Sequence, residues 1–284
     1  MKETRQRTGP VLLAGNHPLK EGIANCLRDS ECDFELEEMA PVSFGQSCEL
    51  AILVTEEDCI TKKKAIDQLE KVLGPTAIIA VNTETIDLEL LQKSAAFPDR
   101  IMGVNWTAPA DKTFFLEIIA NEVTNPAYTD RFMQVATDFW NKDPYVIHGN
   151  TGVRMKLLGA LIREAFYLVH NEYATVEDID RACRNDAGYY SPFAGNLRYM
   201  DLMGTYAYGM VMKDLNPELA TDQHVPEFFE KMVSENECGM ESGKGFYPYQ
   251  LGEAEKWQEL LGKFSGEVRE LIEKYPFKYE PTHF

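Results

Sequence analysis

ELAILVTEEDCITKKKAIDQLEKVLGPTAIIAVNT, residues 49–83, carries the pattern from which the rest of the fold follows. Its two ends, around Leu50–Val54 and Ala77–Val81, are short, continuous apolar runs. Strands read this way when both faces of their sheet are covered. Between them Ile60, Ala65, Ile66, Leu69, Val72 and Leu73 fall on one helical stripe, which Gly74 ends. The unit therefore reads strand, helix, strand.

The same alternation continues on both sides. PVLLAG (10–15) and DFELEEM (33–39) read as strands, with PLKEGIANCLRD (18–29) as a helix between them. TIDLELLQKSA (85–95) reads as a helix, and RIMGVNW (100–106) and FFLEIIA (114–120) as further strands. Apolar strands alternating with helices predict an α/β domain built on a parallel sheet covered on both faces. From about Tyr128 the pattern changes. TDRFMQVATDFWNK (129–142) is helical and DPYVIH (143–148) is strand-like. Long helical stretches follow at 155–173, 175–186, 196–215, 225–235 and 254–275. The stretch at 175–186 opens on Thr175 as a cap, with Glu177 and Asp178 in its first turn. The expected organisation is a dinucleotide-binding type α/β domain over 1–125 and an all-helical domain over 126–284.

Charge narrows the function classes. Lys and Arg number 28 against 46 Asp and Glu, a net charge of −18. Such a chain repels phosphate backbones and anionic lipid, so neither nucleic acid nor a membrane surface is expected as a partner. No apolar run approaches the roughly 20 residues that span a bilayer, and PVLLAG is too short for a signal-peptide core. A cytoplasmic location is expected. Cys26, Cys32, Cys48, Cys59, Cys183 and Cys238 lack the paired spacing of a metal site and read as reduced thiols. His17, His148, His170, His224 and His283 show no ligand spacing either, so no metal is expected.

The first strand-to-helix turn is AGNHPLKEGIA, residues 14–24. A dinucleotide fingerprint places three glycines here and aims the helix N-terminus at a pyrophosphate. Only Gly15 is present; His17 and Lys20 stand at the other two positions. An ordinary strand–turn–helix reads equally from these residues. Lys20 offers positive charge to a phosphate but fills space that glycine leaves open. Glu37 or Glu38 stands where an acidic partner for a ribose is expected.

ESGKGFYPY (241–249), TVEDIDRACRNDAG (175–188) and GNLRYMDLMG (195–204) together resemble the 3-hydroxyacyl-CoA dehydrogenase family. The resemblance extends over ELAILV through NTET and over FPDRIMGVNWTAPADKTFFLEII, and weakly over 11–26. It implies a Rossmann-type N-terminal domain and a helical C-terminal domain of the 6-phosphogluconate dehydrogenase C-terminal type that forms a homodimer. It also implies NAD or NADP as cofactor and a small-molecule substrate. The family's ribose and nicotinamide contacts correspond to Glu57, Lys62 and Asn82, all of the expected type. The family's acid/base His corresponds to Asn105, while the Glu that orients it, twelve residues on, is retained as Glu117. An amide has no proton to exchange at neutral pH, so it cannot serve as a general acid or base. The family's substrate-binding Ser corresponds to Glu84, and its second Asn falls at about Met155.

With these three positions changed, the family reaction is not performed in the family's way. Only APVSFGQSC (40–48) separates the second and third strands, where the family has a helical excursion that helps hold CoA. A substrate smaller than a CoA thioester is the better expectation. Residues expected near the site are His148, Tyr189 and Tyr190, while Trp106 reads either as core or as a surface for a nicotinamide. Two functions follow. One is a divergent NAD(P)-dependent oxidoreductase of a 3-hydroxyacyl or 3-oxoacyl type or smaller hydroxy-acid substrate, in which Asn105, held by Glu117, hydrogen-bonds a carbonyl or hydroxyl while another group or water transfers the proton. The other is a non-catalytic dimer on the same scaffold.

Overall fold

A computed structural model describes residues 9–30, 32–37, 47–250 and 252–276. Glu38 and most of 40–48 lie outside the described residues. The chain divides into two compact units, Met1–Lys156 and Leu157–Phe284.

The first unit is built on a seven-stranded sheet in the order β2-β1-β3-β4-β5-β6-β7. The strands are β1 (Val11–Gly15), β2 (Phe34–Glu37), β3 (Leu50–Val54), β4 (Ile78–Val81), β5 (Ile101–Asn105), β6 (Phe115–Ala120) and β7 (Asp143–His148). Helices α1 (Leu19–Asp29), α2 (Cys59–Val72), α3 (Leu88–Gln92) and α4 (Pro126–Phe139) connect them. Every residue of β1, β3, β4 and β5 is buried, as their unbroken apolar runs require. One face packs Leu13, Ile52, Val104, Trp106 and Phe132; the other packs Leu12, Ala51, Ile66, Leu69 and Leu88.

The sheet is mostly parallel, as expected, but β5 and β6 pair antiparallel, with Asn105 opposite Glu117. No helix lies between these strands, and a parallel return needs a crossover of a dozen residues or more. The unit also continues past residue 125, because β7 pairs with β6 from Asp143 to His148 and α4 precedes it.

The second unit is helical: most of α5 (Arg154–His170), then α6 (Val176–Ala182), α7 (Gly188–Met203), α8 (Thr205–Leu215), α9 (Glu227–Ser234) and α10 (Glu253–Lys274). Thr175 and Asp178 cap α6 reciprocally. The single helix expected over 196–215 is broken at Gly204, whose φ of 102° suits glycine. GKGFY forms a tight turn in which Lys244 pairs with Glu237 and the Tyr247 hydroxyl donates to Asp180 Oδ2 at 2.7 Å.

Candidate active site

The strand order reverses between β1 and β3, and in open α/β sheets ligands bind beyond the carboxyl ends of the strands at such a point. The side chains expected to carry function gather along this edge. Their hub is the loop after β4, Asn82–Ile86, in which every residue is tied to a neighbouring element.

Asn82 is nearly buried and joins the ends of β3 and β4. Its Oδ1 accepts from the Thr55 N–H (2.9 Å) and from Lys62 Nζ (2.9 Å), and its Nδ2 donates to the Thr55 carbonyl (2.8 Å). Lys62, on α2, is fully buried and also reaches Thr55 Oγ1 and Glu57 Oε2, each at 3.3 Å. Burial holds the Lys62 ammonium below its ordinary pKa, against the pull of Glu57 and Glu84. Glu57 Oε1 accepts from the Thr85 N–H (2.8 Å) and the Ile86 N–H (2.9 Å). Burial opposes ionisation of Glu57, but these two amides and Lys62 outweigh it, and its carboxyl sits below the ordinary carboxylate value. The structure thus brings Glu57, Lys62 and Asn82 into one network.

Asn105 lies in a second network. Its Oδ1 accepts from the Thr83 N–H (2.8 Å), and its Nδ2 donates to the Thr83 carbonyl (2.9 Å) and Glu117 Oε2 (3.1 Å). Both amide protons are used and the residue has no solvent exposure. Through these bonds Asn105 clamps the β4 loop to β5 and β6.

Glu117 is equally buried. Its Oε1 accepts from the Tyr145 hydroxyl (3.0 Å) and from the Val153 (2.9 Å) and Arg154 (3.1 Å) N–H groups. The carboxylate so closes the N-terminus of α5, where unpaired amides favour negative charge. A Cβ added at Gly152 would run into this carboxylate. Burial and the Glu117 charge push the Tyr145 hydroxyl far above its ordinary value, so Tyr145 stays protonated.

Glu84 is paired. Arg154 Nη1 donates to both its oxygens (3.1 and 3.0 Å), and the guanidinium lies over the Phe115 ring. Burial raises the Glu84 pKa despite this partner. Glu84 is only partly exposed, at 24%, and its raised pKa suits a group that exchanges a proton.

The first turn departs from expectation. Gly15 has φ 113°, and a Cβ there would run into the Val54 carbonyl, so the backbone approach needs glycine. Lys20 stands in the first turn of α1, and its Nζ donates to the Glu37 carbonyl at the end of β2 (2.7 Å). His17 Nδ1 accepts from the Leu19 N–H (3.2 Å). His148 is exposed at the far end of β7, opposite Ala120 and three residues beyond Tyr145, so it does not replace the histidine at Asn105. Trp106 is core, packed at 5.9 Å against Trp140. Tyr189 and Tyr190 belong to the second unit, where Tyr190 stacks on Tyr199.

Arg154, Tyr145, Thr83 and Gly152 were not legible as site residues. For Tyr145 a signal existed: a β7 pairing with β6 puts it beside Glu117. For Arg154 there was none, because its partner lies 70 positions away.

The crevice fits a dinucleotide in its main features. Gly15 leaves the β1 end bare, and Glu57 presents a partly exposed carboxylate, a ready acceptor for ribose hydroxyls.

Comparison with known proteins agrees. The model for the 3-hydroxyacyl-CoA dehydrogenase NAD binding domain matches residues 40–151, and that for the 3-hydroxyacyl-CoA dehydrogenase C-terminal domain matches 153–249. The chain is 25% identical over 226 residues to the 5-formyl-3-hydroxy-2-methylpyridine 4-carboxylate 5-dehydrogenase of Mesorhizobium japonicum, covering 79% of this chain and 73% of that protein. It is 28% identical over 204 residues to a 3-hydroxybutyryl-CoA dehydrogenase of Mycobacterium tuberculosis, covering 71% and 70%. In fold it is similar to the crystal structure of a 5-formyl-3-hydroxy-2-methylpyridine 4-carboxylic acid 5-dehydrogenase, described as an NAD+-dependent dismutase. The TM-score is 0.86 at 22% identity, over 94% of this chain and 99% of that one.

Proposed function

The chain belongs to the 3-hydroxyacyl-CoA dehydrogenase family, and on that premise we propose that it is a divergent NAD(P)-dependent oxidoreductase of a small hydroxy or oxo acid. The observation that carries this reading is the assembly of Glu57, Lys62 and Asn82 into one network at the strand ends. When bound, the cofactor supplies a hydride acceptor or donor. Glu57 would hold its ribose, with Lys62 and Asn82 fixing the floor beneath it.

Proton transfer falls to Glu84. Asn105 has no proton to exchange, Tyr145 stays protonated, and Glu117 is enclosed by its four donors. Glu84 alone among these carboxylates combines partial exposure with a raised pKa, and Arg154 orients it. As carboxylate it would take the hydroxyl proton during oxidation. The Mesorhizobium relative is named for a pyridine carboxylate, which favours a substrate smaller than a CoA thioester here too. So does the short link between β2 and β3. Titration with NADH and NADPH, followed by turnover assays on acetoacetyl-CoA and on free hydroxy acids, tests the reading. Absence of binding at millimolar cofactor removes it.

A non-catalytic scaffold is the second reading, favoured by the saturated amide at Asn105. Bound cofactor without turnover of any hydroxy or oxo acid would select it.

Homodimerisation through the helical unit belongs to both. Among its described residues only Ala194 and Ala220 are buried, while Leu197, Leu202, Tyr206, Trp257 and Phe264 are more than half exposed. A helical unit without a core of its own has to bury these faces against another surface, and we assign that surface to a second copy. Six cysteines without paired spacing fit a reducing compartment, the cytoplasm. No helix among the described residues is long and apolar enough to cross a membrane.

A further inference from the structure

The N-terminus of α1 is closed by a side chain from its own loop. The Leu19 N–H donates to His17 Nδ1 (3.2 Å), and the Lys20 N–H donates to the His17 carbonyl (2.9 Å). The His17 N–H is turned back onto the Val54 carbonyl at the end of β3 (3.4 Å). Pro18, between them, has no N–H. These are the amides that a dinucleotide fold leaves free for the pyrophosphate. The fingerprint's glycine has no side chain with which to cover them; histidine does.

The contact also fixes the protonation state. Nδ1 accepts a hydrogen bond only when the ring is neutral and carries its proton on Nε2. A protonated ring would lose this bond and set positive charge against the positive end of a helix. The surroundings keep the ring neutral. Burial is the largest influence and lowers its pKa, Lys62 on α2 lowers it further, and Glu56 and Glu57 in the loop before α2 oppose them.

We infer that the His17 imidazole plugs the pyrophosphate subsite, and that cofactor binding displaces it with uptake of a proton from solvent. This rests on the dinucleotide reading given above. Displaced, the ring frees the Leu19 amide, and beside two phosphate charges it becomes a better base. Its pKa is therefore higher in the complex than in the free protein. Between those two values affinity rises as pH falls.

Calorimetric titration with NAD+ between about pH 6 and 8.5, in buffers of differing ionisation enthalpy, tests this. Wild type should bind more tightly at the acid end and take up protons. His17→Ala, which removes the plug, should bind roughly 2–10-fold more tightly at the alkaline end, the worth of one displaced hydrogen bond. It should also lose the pH dependence. His17→Gln keeps an acceptor but cannot be protonated, so it should lose the pH dependence without gaining affinity. Affinity flat with pH in wild type, or weaker binding by His17→Ala, overturns the plug while leaving the dinucleotide reading intact. Failure of wild type and both variants to bind removes that reading and the inference together.

Discussion

A primary amide offers two protons and two lone-pair directions, and at Asn105 three of the four are engaged, all inside the protein. The residue's chemistry is thus spent on structure. Replacing Asn105 with Ala would strand the Thr83 N–H, the Thr83 carbonyl and one oxygen of Glu117. The expected cost is about 2–4 kcal/mol of stability, measured by denaturant unfolding. Glu84→Gln should act differently. It should leave cofactor affinity near wild type, lower kcat by about 10²-fold or more, and remove the acid limb of the rate profile. The sign follows from the direction of the shift: burial raises the Glu84 pKa, so as pH falls the active carboxylate is lost, and the rate drops, earlier than for an ordinary glutamate. An unchanged acid limb in the variant would exclude Glu84 as the proton acceptor.

At the scale of elements, the two networks convert strand ends into a fixed edge. The antiparallel step between β5 and β6 sets Asn105 opposite Glu117, and the parallel step to β7 sets Tyr145 on the other side of Glu117. Glu117 then closes the N-terminus of α5, and Gly152 leaves room for it. Gly152→Ala would force the buried carboxylate off its donors, at an expected cost of about 1–3 kcal/mol. Gly159→Ala, further along α5 where an added Cβ meets nothing, should be neutral or stabilising by up to about 1 kcal/mol. Thermal melts of the two variants separate a packing requirement from mere helix propensity. The Glu57 network predicts a pH effect. Its folded pKa is lowered, so its stabilisation is present above the ordinary carboxylate value and is lost as pH falls through the folded value. Glu57→Gln should flatten the acid side of the stability profile; an unaltered profile would argue against the network.

For the whole molecule, the two units differ in how they are stabilised. The first has a two-layered core around its sheet. The second leaves many of its large apolar side chains open and, on the proposal above, completes its core with a second copy. Sedimentation equilibrium should give a dimer. Leu197→Glu together with Leu202→Glu should shift it to monomer and lower the melting temperature. A wild-type monomer that melts independently of concentration would refute the proposal.

What the amino-acid order determines by itself is the period of each element and the kind of surface it buries. The apolar runs of β3 and β4, the stripe of α2 and the cap at Thr175 rest on local geometry and hold in the folded chain. So does the family membership, because GKGFY and the Asn105-to-Glu117 spacing are linear patterns. Only the tertiary structure decided what the polar groups do. The bonds of Asn105 depend on Thr83, and the pairing of Glu84 depends on Arg154; neither partner is near in sequence. Hydrogen bonds form between groups that folding brings within about 3 Å, and sequence spacing fixes such distances only within a single element. His17 shows both sides of this. Its departure from glycine was legible in the sequence, but its contact with the Leu19 amide exists only once the turn has closed.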